Sequence, residues 1–583
     1  MKYKKNILML FFASSLILTS CVDAKVEEVL EYENHYQTTA DADNAILGVY
    51  GSFMRLAEQM VVLNELRGDL MDVTTNASQD LQEINLKRTG SDNKYADPTQ
   101  FFTVIQNCND ILANFDIMYK SNKLTKDQYN ERYSDVAAMR CYVYLQLGIQ
   151  YGNVPYITDP IVSIEDVKKY SESDKIGLDE LIKKLITCME GLPTLDDYVN
   201  SPLVQYTLDG YELNKFFINK HLVLADLYLW DGRYLDAATQ YRKILATDEE
   251  KGAAENNDGY KCRGWVWKDG ETPNTFQVYY IRYMWDDLNS YRNSWCSMFQ
   301  LPAENDVAKC EWIWTMSYDK SFAPTYPFIS LFANEGKGTY QLMPSTYAVD
   351  SLWENQVQKN GFKFDGRGRN SSFKQVAPGQ YVVQKYLYNY DSSKPFEQQG
   401  RLFLYRAGLL HLRYAEAANR AGYPKLAYAL VNQGINGTFK WDNVGNDSIY
   451  QSGYGPGKPY PAPFYLDGRN SDNPYYRSPW RDNAGIRGRA SLKSVEFPST
   501  CTTTNDSIQF MEKVILQECA LETGFEGNRW GDLVRIAHRM NKEGRDGNTF
   551  LNDNLKKKYQ IAGEALPDYS SEDKWFLPFR FNN

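Results

Sequence analysis

The sequence predicts a fold dominated by α-helices that supports a second, loop-rich half. Three observations lead there. Apolar residues recur at three- and four-residue spacing within residues 137–151, 221–245 and 409–431. Each run carries a turn signal, in order Gly152-Asn-Val-Pro155, Asp231-Gly232 and Gly422-Tyr-Pro424. Residues 251–400 lose helical periodicity, gain Gly, Asp, Asn and Pro, and hold seven of the twelve tryptophans.

The amino terminus comes first. Lys2, Lys4 and Lys5 precede an apolar run over residues 7–18 and the box Leu18-Thr-Ser-Cys21. That order predicts a signal peptide over 1–20, cut before a lipidated Cys21. The run is about a dozen residues, short of the ~20 that span a bilayer. No later stretch reads as long and apolar enough to be a transmembrane helix. Asp23, Glu27, Glu28, Glu31 and Glu33 make residues 21–40 an acidic, solvated tether. Folded structure is expected from residue 41 to 583, where Asp41 and Asp43 precede Ala45, Ile46, Val49 and Tyr50.

Along the chain, Ala137, Cys141, Tyr144, Gly148 and Tyr151 mark one helix face whose small residues admit a close neighbour. Leu222, Ala225 and Leu229, then Tyr234, Ala237, Tyr241 and Ile244, mark a helical hairpin similar to a tetratricopeptide unit. A further pair is expected over 409–431. Residues 41–250 and 401–583 thus read as mainly helical and 251–400 as an aromatic, loop-rich region. Residues 443–483, with Gly453-Tyr-Gly-Pro-Gly457, form a second irregular stretch; loops of this length are commonly functional or disordered, and its aromatic richness argues against disorder. Near the end, Glu518, Glu522 and Glu526 fall four apart. Glu526, Arg529, Asp532 and Arg535 alternate in sign, a pattern suited to ion pairs along one helix.

Composition excludes several functions. The formal charge is −10, with no Lys/Arg cluster, which disfavours nucleic-acid binding. Nine cysteines are widely spread without a Cys-x-x-Cys pair, so a metal framework is not expected. Cys141 and Cys519 fit buried positions in apolar helices, and disulfide pairing is not legible. The four histidines are isolated, and neither His-Glu-x-x-His nor Gly-x-Ser-x-Gly occurs. Residues 453–458 lack the glycine spacing and Ser/Thr of a phosphate loop. Asp467, Asn470 and Asp472 fall short of a calcium ligand set. No cofactor and no metal are expected.

Several ordered blocks resemble the SusD/RagB family of nutrient-uptake lipoproteins. They are Ala42-Asp-Asn-Ala-Ile-Leu-Gly-Val-Tyr50, the Phe101, Ile105, Asn109 and Ile111 helix, and Tyr151-Gly-Asn-Val-Pro155. Leu412-Arg-Tyr-Ala-Glu-Ala-Ala-Asn419 and Glu522-Thr-Gly-Phe-Glu-Gly-Asn-Arg-Trp-Gly-Asp-Leu-Val-Arg535 follow, with Leu577-Pro578 near the end. Cys519 stands where the family often has an arginine, and 443–483 looks like an insertion.

The resemblance implies a helical fold with tetratricopeptide-type hairpins, carrying a loop-rich ligand-binding half. It also implies a lipid-anchored outer-membrane protein without enzymatic activity. Such a protein captures oligosaccharide and passes it to a SusC-like TonB-dependent transporter, over which it acts as a lid. A peptide ligand, as for RagB-like lids, stays open. A surface hydrolase is the alternative of a different class, motivated by export and abundant carboxylates. By region, the resemblance points to residues 67–95 and the central tryptophans. Asp69, Asp72, Asn76, Arg88 and Tyr95 are the polar candidates there. Trp285, Trp295 and Trp312 are the aromatic ones, since an indole face can stack on a sugar ring.

Overall fold

The computed structural model describes residues 36–90, 92–166, 173–198, 211–245, 295–300, 311–439, 460–468 and 483–581, with short pieces at 202–208 and 470–480. Cys21, the tether to residue 35, Trp285 and most of 443–483 lie outside the described residues.

Helix α1 (Thr39–Glu65) starts at a capping box in which Thr38 and Asp41 satisfy each other's backbone N–H groups. Strand β1 (Met71–Val73) and α2 (Gln79–Leu86) follow. Then come α3 (Thr99–Lys120), α4 (Lys126–Tyr151), α5 (Leu178–Glu190), α6 (Lys220–Asp231) and α7 (Tyr234–Leu245). A second capping box, Thr125 with Gln128, opens α4. The expected turn between α6 and α7 is present, with Gly232 at φ 83°, a conformation that suits glycine.

The central region carries β2 (Trp312–Tyr318), α8 (Phe328–Phe332), β3 (Leu342–Pro344), β4 (Phe373–Ala377), β5 (Gln380–Val383) and β6 (Gly400–Arg406). The chain then returns to helix with α9 (Ala407–Arg420), α10 (Pro424–Val431), α11 (Thr504–Thr523), α12 (Arg529–Lys542) and α13 (Gly547–Ala562). The expected helical hairpin over 409–431 is therefore α9 and α10.

The helices form a continuous stack. α3 packs on α4, α4 on α5, α5 on α6, α6 on α7, and α7 on α9, which also contacts α10 and α11. Helix α1 lies against α3, α4 and α12. Contrary to expectation, α1 is long and apolar enough to cross a membrane by length and composition. Its apolar face, from Ile46 through Leu63, is instead part of the core.

Short antiparallel ladders hold the central region. β2 pairs with β6 from Tyr318↔Gly400 to Trp312↔Arg406, and both strands are buried throughout. β1 pairs with β3, Asp72 opposite Met343, and so ties the segment after α1 to the central loops. Most of the buried apolar residues form one cluster. A smaller cluster collects Trp295, Cys296, Met298, Phe299, Trp312, Phe403, Ala490 and Leu492.

The charge series near the end is not arranged as the spacing predicts. The helix stops at Thr523, and Phe525 (φ 72°) and Gly527 (φ 85°) turn the chain before α12 starts. Within the series only Asp532 and Arg535 pair along a helix, at 3.0 Å. Glu518, Glu522 and Glu526 turn inward instead and meet cations from distant segments. Arg367 reaches Glu518 at 2.8 Å and Glu522 at 2.6 Å. Arg406 reaches Glu522 at 2.6 Å and Glu526 at 2.8 Å. Arg489 reaches Glu522 at 2.8 Å, Arg487 reaches Glu518 at 2.9 Å, and Lys385 reaches Glu526 at 2.6 Å. All are buried. Burial alone would push Glu522 up, but Arg406, Arg489 and Arg367 together hold it well below the usual carboxylate range.

Candidate ligand-binding face

The β2–β6 ladder ends at Tyr318 and Gly400, and the loops that leave it adjoin. Lys320 Nζ on one loop lies 3.1 Å from Glu397 Oε2 on the other. Each loop raises a phenyl ring into solvent: Phe322 is 71% exposed and Phe396 78%. These are among the most exposed large apolar side chains described, and both follow or precede proline-containing turns (Ala323-Pro324 and Pro395). Turn chemistry holds the loops. The Asp319 carboxylate accepts from Ser321 N, and the Asp391 carboxylate from both Ser393 N and Ser393 Oγ.

A third loop, residues 333–341, borders them. Its Lys337 Nζ sits 4.6 Å from the Phe396 ring centroid. Lys337 N donates to Tyr390 Oη at 2.6 Å, and Ser392 Oγ donates to Glu335 at 3.0 Å. This loop leads into β3 and so meets residues 74–78. Thr74 N donates to Gln341 O at 2.9 Å, and Ser78 N to Gln341 Oε1 at 3.1 Å. The result is a connected face of apolar rings, an ammonium group and amide groups. Rings of this kind can lie on the C–H face of a sugar while flanking polar groups bind its hydroxyls.

The predicted site residues fall in different places. Asn76 is exposed, and its N–H donates to Oγ1 of Thr74, the residue that meets Gln341. Arg88 is also exposed but lies past the other end of α2. There neighbouring Thr89 O accepts from Arg580 of the C-terminal segment at 3.4 Å. Asp69 is buried and binds Arg529 Nε at 2.6 Å and Nη2 at 2.8 Å. Asp72 is buried and accepts from Asn85 Nδ2 at 3.0 Å. Tyr95 is buried against α1, its hydroxyl donating to Glu58 at 2.7 Å, and burial with the Glu58 carboxylate pushes it far above the ordinary phenol range.

Trp295 and Trp312 form part of the smaller core cluster, at 0% and 1% exposure. Their ring faces are already taken. Lys385 Nζ lies 5.1 Å from the Trp295 ring, and Arg401 Cζ 3.7 Å from that of Trp312. Both are core residues in this arrangement, Trp312 within β2 itself. The sequence carried a signal for Phe322 and Phe396: single rings beside proline in turn-rich segments, where no periodicity buries them. Attention to tryptophan passes over it. Among the described residues no group of His, Cys, Asp and Glu is placed to hold a metal ion.

The comparisons with known proteins bear on the whole chain. Residues 483–582 match the family model described as the SusD family. No curated protein sequence matches. A SusD-superfamily protein from Bacteroides vulgatus shares the fold at TM-score 0.57 and 13% identity, covering 93% of this chain and 96% of its own. Surface glycan-binding protein A from Bacteroides uniformis follows at 0.53 and 15%, covering 93% and 96%. A laminarin-binding SusD-like protein aligns at 0.51 and 13%, covering 88% and 96%. Residues 483–582 thus match the SusD family model, and the chain as a whole shares the fold of SusD-superfamily proteins.

Proposed function

We propose that this protein is a non-enzymatic, lipid-anchored binder of oligosaccharide on the outer membrane. It passes its ligand to a SusC-like TonB-dependent transporter, acting as that transporter's lid. The carrying observation is the face of exposed Phe322 and Phe396 with Lys337 and Asn76, on a fold shared with two proteins whose names state glycan or laminarin binding. The Cys21 box supplies the anchor.

Two features weigh against a hydrolase. Paired glycosidase carboxylates must flank the scissile bond, whereas Glu518, Glu522 and Glu526 are buried and held by arginine or lysine. The carboxylates of the loop face, Asp319, Glu335, Asp391 and Glu397, are engaged by neighbouring Ser321, Ser392, Ser393 and Lys320. A peptide remains the second ligand class, since the same rings can take apolar side chains.

Titration of the lipid-free protein against a panel of glycans and peptides tests the ligand. Binding to an oligosaccharide is expected, and binding to peptides alone would move the reading to the second class. Recovery of a TonB-dependent barrel by the tagged, lipidated protein tests the lid role, which a pulldown without one would sink. Product release from any polysaccharide would restore the hydrolase.

A further inference from the structure

Helices α4 and α5 run antiparallel and touch closely at one point. A Cβ on Gly148 would come within 2.7 Å of Leu181 Cδ2 and 3.0 Å of Leu178 Cδ1. Only a residue without a side chain admits that approach. Seven residues are about two turns of helix, which returns to the same face. Seven back along α4 from Gly148 is Cys141; seven forward along α5 from Leu181 is Cys188. The register therefore sets the two cysteines opposite each other.

The side chains agree. Cys141 Sγ lies 4.0 Å from Leu185 O, the carbonyl one turn before Cys188. Each thiol shifts the titration of the other, as neighbouring groups do. Cys141 is buried and Cys188 only partly so, which leaves Cys188 open to a reagent. Cys141 and then the Arg140 guanidinium next to it hold the Cys188 thiol below the ordinary range, whereas burial pushes that of neighbouring Cys108 up to about 12.

We propose that Cys141 and Cys188 are a dithiol that closes to a disulfide in the exported protein, with Cys188 reacting first. This rests on the export reading given above, because only an oxidising compartment keeps such a bond. The oxidant is a disulfide, either of a thiol–disulfide oxidoreductase or of oxidised glutathione. The Cys188 thiolate attacks one donor sulfur, the donor S–S bond breaks and one donor thiolate leaves. Cys141 then loses its proton and attacks Cys188 Sγ, expelling the second donor thiolate. Two electrons and two protons pass to the donor, which ends as two thiols. The product links α5 to α4 across residues 152–177.

The test uses the full chain with its own signal, exported, acid-quenched, denatured and alkylated with iodoacetamide without reductant. Peptide mapping is expected to show Cys141 joined to Cys188, about 2 Da lighter than the free peptides and alkylated only after dithiothreitol. Cys188→Ser is expected to leave Cys141 as an alkylatable thiol. Alkylation of both without reduction, or Cys188 joined to Cys108, would overturn the pairing. The purified reduced chain with oxidised glutathione is the second arm. A link formed there but missing from the exported protein contradicts the proposal and faults the export reading. No link in either arm faults the cysteine geometry and leaves the ligand-binding reading untouched.

Discussion

The block around α11 and α12 and the loops at the end of the β2–β6 ladder use side chains in opposite ways. The first buries charge: Glu518, Glu522 and Glu526 are sealed beneath Arg367, Arg406, Arg489, Arg487 and Lys385. The second exposes apolar rings, Phe322 and Phe396, on loops tied by turn hydrogen bonds. A charge removed from water holds its place only with its partners, so the block is rigid and intolerant. A ring left in water has no such need and can be changed at little cost to folding. The comparison gives the first region a structural role and leaves the second free to serve as the proposed binding face.

Breaking the ion cluster has the largest expected effect. Arg406→Met leaves Glu522 and Glu526 short of a partner and is expected to cost about 3–5 kcal/mol, read as a lost or lowered unfolding transition in urea. Trp295→Ala opens a cavity in the smaller core cluster and is expected to cost about 3–5 kcal/mol. If that variant instead kept its stability and lost ligand affinity, Trp295 would belong to the site after all.

A pH series gives a smaller, signed effect. Burial pushes Glu65 up to about 7, even though the N–H groups of Phe525, Gly527, Asn528 and Arg529 donate to it. Burial likewise pushes Asp135 up to about 7. An acid that keeps its proton better when folded gives stability at low pH and loses it as pH rises through that value. Glu416 runs the other way. Burial opposes, but Arg535, Arg539 and Arg413 hold it at about 2, so its stability is present at neutral pH and lost as pH falls from 4.5 toward 2. Melting temperature should peak in the mildly acidic range, and Glu65→Gln should flatten the alkaline limb. A curve still rising through pH 7 would contradict the burial of Glu65.

Much of the fold was legible in sequence because helices announce themselves locally. The hairpins over 221–245 and 409–431 follow from spacing and side-chain type. The ion cluster was not legible. Its carboxylates are visible at four-residue intervals, but their partners are 31 to 155 residues away in sequence, and only the fold brings them together. Asp69 misled for the same reason: a polar residue in a loop reads as a ligand contact until Arg529 is found against it. Asn76 was placed by region alone and is exposed beside Thr74. Trp295 and Trp312 show that aromatic content locates a core as readily as a binding surface.

On the exposed face, Phe396→Ala and Phe322→Ala are each expected to leave stability within about 0.5 kcal/mol. Each should weaken ligand binding about five- to tenfold, near 1 kcal/mol. Calorimetric titration of an oligosaccharide into the wild type and the Phe322→Ala/Phe396→Ala double variant, with melting curves on the same samples, tests the assignment most directly. The account predicts binding by the wild type, severe loss in the double variant and unchanged melting. Undiminished oligosaccharide binding by the double variant would contradict it.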